Sequence, residues 1–315
     1  MRIAVLDDYF NVSRKLANWD RLDGLAEITV FQEPFGGEEA AVIKLADFDI
    51  IVGMRERTRF PASLLLRLPK LKLLITTGKR NLSFDVGVAN AQSITVCGTG
   101  SIGSPTSELA VGLMIALMRD IHGQFGSMRQ GGWQTRLGHG LAGKTLGLLG
   151  LGKLGSAVAA AGNAFDMNVI AWSQNLTDEQ ANAHNVCRVE KDELFRQSDV
   201  LSIHVILSDR TLGIVGAHEL RLMKPTSFLI NTSRWQVVNG EELLWVLREK
   251  RIAGAAIDVY DVEPLPPDDA IRRLDNVLLT PHIGYVTEEN LARMYQDAVE
   301  DIIAFLEGKP IRVLK

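Results

Sequence analysis

Thr145-Leu146-Gly147-Leu148-Leu149 runs directly into Gly150-Leu151-Gly152-Lys153-Leu154-Gly155, and this junction decides the fold. The first five residues form an apolar run of strand length. After the glycines, Ser156 to Phe165 is Ala-rich and has helical character. Each glycine has a purpose when strand, Gly-x-Gly-x-x-Gly and helix follow in that order. Gly150 permits the tight turn, Gly152 lets the backbone approach a pyrophosphate, and Gly155 lets the helix pack closely on the strand. The helix N-terminus, at Lys153 and Leu154, offers unsatisfied N–H groups and a positive dipole end to phosphates. The motif in this setting reads as a dinucleotide-binding turn.

Outward from the junction, apolar strands alternate with amphipathic stretches on both sides, the pattern of parallel βαβ units. Downstream lie Asn168–Trp172, Val200–Val205, Phe228–Asn231, Ala255–Val259 and Val277–Leu279. Upstream lie Ile3–Leu6, Ile28–Phe31, Ile50–Met54, Leu71–Thr76 and Ile94–Val96, which make a smaller α/β unit of their own. A long helix is expected from Pro105 to about Ile121, followed by a Gly-rich connector from Gly123 to Gly143. The final helix, Glu288 to Leu306, spaces Leu291, Met294, Tyr295, Ala298, Ile302 and Phe305 along one face. Which unit it packs against is open at this stage.

Composition agrees with two soluble α/β domains. The chain has 315 residues, 46% hydrophobic and 23% charged, with net charge −4. No basic stripe would attract a polyanion, so no nucleic-acid partner is expected. No stretch reaches the roughly 18 apolar residues of a membrane span, and residues 1–8 carry no secretory signal pattern. Cys97 and Cys187 lack metal-ligand spacing, so a cytoplasmic protein with two reduced thiols and no metal is expected.

The dinucleotide fingerprint lacks one part. An acidic residue should end the second strand and hold the adenosine ribose, yet the chain reads Ala171-Trp172-Ser173-Gln174-Asn175. Ser173 can donate a hydrogen bond to a ribose with or without a 2′-phosphate. The cofactor expected is therefore NAD or NADP, with NADPH accepted at least as well as NADH.

Three polar residues follow later strands, at the carboxyl ends where open sheets place ligands. These are Arg234 in Asn231-Thr232-Ser233-Arg234, Glu263 in Asp258-Val-Tyr-Asp-Val-Glu263-Pro264, and His282 in Thr280-Pro281-His282-Ile-Gly284. Singly, each has a plain alternative as a surface Arg, a strand-ending Glu or a structural His. Together, behind a nucleotide turn, they are the set that acid–base reduction of a carboxylate-bearing carbonyl requires.

With these motifs, the chain resembles the D-isomer-specific 2-hydroxyacid dehydrogenase family over nearly its whole length. The resemblance rests on the Gly150–Gly155 turn, His204 after Asp199-Val-Leu-Ser-Ile, Asn231–Arg234, Asp258–Pro264 and Pro281–Gly284. It implies a flavodoxin-like substrate domain, residues 1–100 and 286–315, into which a Rossmann dinucleotide-binding domain, 101–285, is inserted. It also implies a homodimer held largely by the dinucleotide domains and the Gly123–Gly143 region. The implied roles are His282 as acid/base, Glu263 as its partner, and Arg234 on the carboxylate of a small 2-oxo or D-2-hydroxy acid. Asp258 would meet the nicotinamide carboxamide, with His204 and Thr232 also at the cofactor. Arg55, and Gly78 with its neighbours through backbone N–H groups, would meet the substrate carboxylate.

Three departures stand out. Trp235 occupies a position usually Gly in the family, Ile206 replaces the usual Pro after His204-Val205, and the usually glycine-rich substrate loop reads Gly78-Lys79-Arg80-Asn81. An alternative on the same scaffold is a nucleotide-sensing, corepressor-like binding protein.

Overall fold

Two stretches of the smaller unit, Ile50–Gly53 (β3) and Leu73–Thr76 (β4), are buried at every position, as strands covered on both faces of a parallel sheet must be. In the computed structural model, which describes all residues 1–315, they join Arg2–Val5 (β1), Glu27–Val30 (β2) and Thr95–Gly98 (β5). The order is β2-β1-β3-β4-β5, all parallel, a flavodoxin-like sheet. This unit comprises Met1–Gly103 and Val286–Lys315, and Ser104–Tyr285 forms the second.

The helix Glu288–Leu306 belongs to the first unit, which settles its packing partner. Thr287 caps it by accepting from the Asn290 N–H. Leu291, Met294, Tyr295, Ala298 and Ile302 are buried, with the Tyr295 ring 6.5 Å from that of Trp19. Phe305, expected on the same face, is only partly buried because the face ends there. Each large side chain so buried contributes about 1.5–3 kcal/mol.

The segment after this helix returns to the sheet and pairs antiparallel with β5. Gly98 N–H donates to Arg312 O at 3.0 Å and Leu314 N–H to Val96 O at 2.8 Å. Arg312 anchors it, with Nε on Asp301 Oδ1 at 2.9 Å and Nη2 on Glu300 at 3.1 Å. Asp301 has no exposed side chain, and burial outweighs Arg312 to push its carboxyl up to about 7. Between the ordinary Asp value, about 3.9, and this one, the folded state binds more protons than the unfolded state. That contribution to stability is complete below about pH 4 and is lost as pH rises through 7. Asp301→Asn should therefore flatten the fall of Tm between pH 5 and 8. An undiminished slope in the variant would place the titration elsewhere.

The second unit has seven parallel strands. They are Thr145–Leu149 (β6), Asn168–Trp172 (β7), Cys187–Arg188 (β8), Val200–Ile203 (β9), Phe228–Asn231 (β10), Gly254–Ile257 (β11) and Val277–Leu279 (β12). The order β12-β11-β10-β9-β6-β7-β8 is a Rossmann sheet with one added edge strand. The strands expected to reach Val205 and Val259 stop two residues earlier, leaving His204 and Asp258 in the loops that follow.

One expectation needs correction. The helix from Pro105 ends at Met118, because Asp120 turns left-handed at φ 48°, and a second helix follows at Ile121–Arg129. The supposed connector therefore begins with helix. None of its residues is buried, although Ile121, Phe125 and Met128 align on one face. No helix is long and apolar enough to cross a membrane.

Candidate active site

The residues singled out in the second unit lie at the carboxyl ends of neighbouring strands, running β7, β6, β9, β10, β11, β12 across the sheet. The strand order reverses between β6 and β9, where open α/β sheets bind nucleotides.

At β6 the glycines are required by space. Gly150 has φ +104°, and a Cβ on Gly155 would collide with the Gly150 carbonyl. Gly152, by contrast, is exposed with open space around it. It precedes the helix Lys153–Ala164 without any side-chain cap, so the first helical turn keeps N–H groups for a ligand. Beside this turn, His204 is tied to β6, its N–H donating to Leu149 O at 2.8 Å. Its Nε2 lies 2.8 Å from Ser202 Oγ, and burial drives the imidazole down to about 4, so the ring is neutral near pH 7. His204 Nδ1 and Thr232 Oγ1 are both buried without a partner. Such atoms are costly when unsatisfied, and a polar ligand at the glycine turn would satisfy them. A dinucleotide fits this cradle.

At the end of β7, Ser173 O accepts the Leu176 N–H at 3.1 Å, closing a turn. Arg188 on β8 sits in register with Ala171 and donates from Nε to Leu176 O at 3.0 Å. A guanidinium therefore stands at the Ser173–Leu176 turn. The sequence reading missed it because β8 is only two residues long, too short to show any periodicity.

After β10, Asn231 shapes the loop by accepting from Ser233 N–H at 3.0 Å and donating to Arg234 O at 3.1 Å. Arg234 Nη1 donates to Ser233 O at 2.7 Å, which fixes the root of the guanidinium. The indole of Trp235 lies over Gly240, where a Cβ would meet it.

The ends of β11 and β12 meet at His282. Its Nδ1 is 2.6 Å from Glu263 Oε2, while Glu263 Oε1 accepts the Tyr260 N–H at 2.9 Å. The Tyr285 and His282 rings stand nearly perpendicular, with centroids 5.8 Å apart. His282 is left-handed, φ 52°, a conformation unfavourable without support. The support is Asp258, 1% exposed. Its Oδ1 accepts from Thr280 Oγ1 at 2.6 Å and Ile283 N–H at 2.9 Å, and its Oδ2 from Gly284 N–H at 2.9 Å. Burial raises its carboxyl above the ordinary value against these bonds. Three of about four lone-pair sites are thus occupied by the His282 turn, leaving one on Oδ2 for a ligand.

In the first unit, Arg55 follows β3 at φ 52° and Gly78 follows β4 at φ +135°. The guanidinium lies where a Cβ on Gly78 would be. The Gly78 N–H, expected to meet a ligand carboxylate, instead donates to Thr99 Oγ1 at 2.8 Å.

Residues 111–284 match the model of the D-isomer specific 2-hydroxyacid dehydrogenase, NAD binding domain. The chain belongs to this family. It is similar to a glyoxylate reductase of Thermococcus litoralis, 33% identical over 90% of this chain and 88% of that one. A glyoxylate reductase of Aeropyrum pernix is 36% identical over 80% and 78% of the two chains. Among solved structures, a putative D-3-phosphoglycerate dehydrogenase oxidoreductase from Ralstonia solanacearum superposes with TM-score 0.93 at 35% identity, covering 99% of this chain and 96% of that one. As a D-isomer-specific 2-hydroxyacid dehydrogenase, the protein carries an NAD-binding domain whose family acts on small 2-oxo and 2-hydroxy acids.

Proposed function

We propose that the protein interconverts a small 2-oxo acid and its D-2-hydroxy acid, and the observation that carries this is the 2.6 Å contact between His282 Nδ1 and Glu263 Oε2. Glu263 fixes the proton on Nδ1 and compensates the charge of the doubly protonated ring, so Nε2 can give a proton to a carbonyl oxygen. Asp258 holds the turn that presents the imidazole. Arg234 takes the substrate carboxylate in its planar fork, and Arg55 is the first unit's candidate for substrate contact. A bound nicotinamide cofactor supplies the hydride. Gly150, Gly152, Lys153, Leu154 and Gly155 cradle its pyrophosphate, with His204 and Thr232 beside them.

NADPH is accepted at least as well as NADH in this reading. Support comes from the missing carboxylate at Ser173 and from Arg188 beside that turn, where a nearby Arg suits a 2′-phosphate. A homodimer completes the proposal. Phe125, Met128, Trp133 and Leu137 are 63%, 52%, 74% and 95% exposed along the segment from Ile121, an apolar surface that a second copy would cover.

The test is steady-state turnover of 2-oxo acids with NADH and NADPH, beside aldehydes that lack a carboxylate. Reduction of at least one 2-oxo acid to the D product is expected, with the aldehydes poor throughout. Efficient aldehyde turnover, or an L product, would overturn the reading.

A further inference from the structure

We propose that Gln236 is a positioning residue that yokes the Arg234 loop to the loop bearing Glu263; this rests on the 2-oxo acid reading above. β10 and β11 pair in register as far as Asn231 and Ile257, and the Asp258 N–H adds a last bond to Asn231 O at 3.0 Å. Beyond that point the two loops leave the sheet, one carrying Arg234 and the other Glu263. Both side chains serve one substrate in that reading, so the spacing of the loops matters. A misplacement of about 1 Å can cost on the order of a hundredfold in rate.

The Arg234 loop is anchored unevenly. Toward the segment after β9 it is held mainly by backbone. Gly213 N–H donates to Gln236 O at 2.8 Å and Val215 N–H to Val237 O at 3.1 Å, while Ser233 Oγ donates to Val205 O at 2.5 Å. Toward the loop after β11 the tie is a side chain, Gln236 Nε2 donating to Asp261 Oδ1 at 3.1 Å. Glu263 Oε1 accepts the Tyr260 N–H at 2.9 Å, which closes a turn with Asp261 inside it.

Gln236 stands in the turn that aims the guanidinium. The 3-10 turn Trp235–Val237 begins with a long bond, Val237 N–H to Arg234 O at 3.3 Å. So short a turn holds its own orientation weakly, and its external anchors direct Arg234. The Gln236 carbonyl is fixed on the β9 side and its amide on the β11 side, so one residue sets the gap between the two flanking loops. Its amide is also neutral, and donates to Asp261 without adding a charge beside Glu263. A carboxylate in its place would repel Asp261 instead.

Reversing the bond tests this. Wild type, Gln236→Ala, Gln236→Glu and Gln236→Glu/Asp261→Asn are compared in the reduction of glyoxylate, pyruvate and hydroxypyruvate. Fluorescence titration of the reduced cofactor and Tm are measured beside them. Gln236→Ala should lower kcat/KM for a 2-oxo acid about threefold to tenfold, the scale of one net hydrogen bond. The loss should fall chiefly on KM, because Arg234 holds the carboxylate in ground and transition states alike. Cofactor Kd and Tm should stay near their wild-type values. Gln236→Glu sets two carboxylates together and should cost more. The double variant exchanges donor and acceptor and should recover most of that loss. A merely structural role would move Tm and cofactor affinity together with KM. That result, an unchanged kcat/KM in Gln236→Ala, or a double variant no better than Gln236→Glu overturns the proposal. Failure of wild type to reduce any of the three acids overturns the 2-oxo acid reading, and this proposal with it.

Discussion

Replacing His282 by alanine is expected to lower the rate of 2-oxo acid reduction by about 10²–10⁴, the usual worth of a positioned proton donor. Cofactor affinity should survive, because His282 closes the β12 end of the site and the dinucleotide cradle lies at β6 and β9. Measuring kcat together with the Kd of the reduced cofactor by fluorescence separates the two. A variant with most of its turnover would show that another group delivers the proton. Lost cofactor affinity would show that the Asp258-braced turn has collapsed instead, because removing the imidazole also removes its 2.6 Å contact with Glu263.

Ser173→Asp should produce the second large effect. A carboxylate at this turn would oppose a 2′-phosphate at short range in a partly buried place and accept from a free ribose hydroxyl. It would also compete for Arg188. The ratio of kcat/KM for NADPH over NADH is expected to drop on the order of a hundredfold, ~2.7 kcal/mol. Wild-type preference for NADH by that same factor would show that the missing acid is supplied from another position.

Much of this site was legible because strong local signals sit where the sheet demands them. The Gly150–Gly155 turn follows a strand whose bounds were read without error, since Gly155 must be glycine to clear the Gly150 carbonyl. Glu263 and His282 follow β11 and β12, so adjacent strands bring together residues 19 positions apart. Other features depend on contacts that no local pattern carries. Arg188 is invisible until β8 pairs with β7. Asp258 was read only as a ligand to the cofactor, because its bonds to Thr280, Ile283 and Gly284 come from a distant loop. The helix at Ile121–Arg129 was hidden by Gly123 and Gly126, although Ile121, Phe125 and Met128 keep helical spacing. The Gly78 N–H was assigned to a ligand because its bond to Thr99 depends on the turn after β5.

The segment that returns from the last helix to β5 has a consequence for solution behaviour. A parallel sheet ends in a strand whose outer N–H and C=O groups can recruit another chain, and β5 is apolar and buried on its faces. Here the Arg312–Leu314 stretch occupies that rim, and its anchor is a salt link to a carboxyl that titrates near neutrality. Loosening the anchor would uncover a ready template for intermolecular strand pairing. That rim belongs to the first unit, far in sequence from the glycine turn of the second.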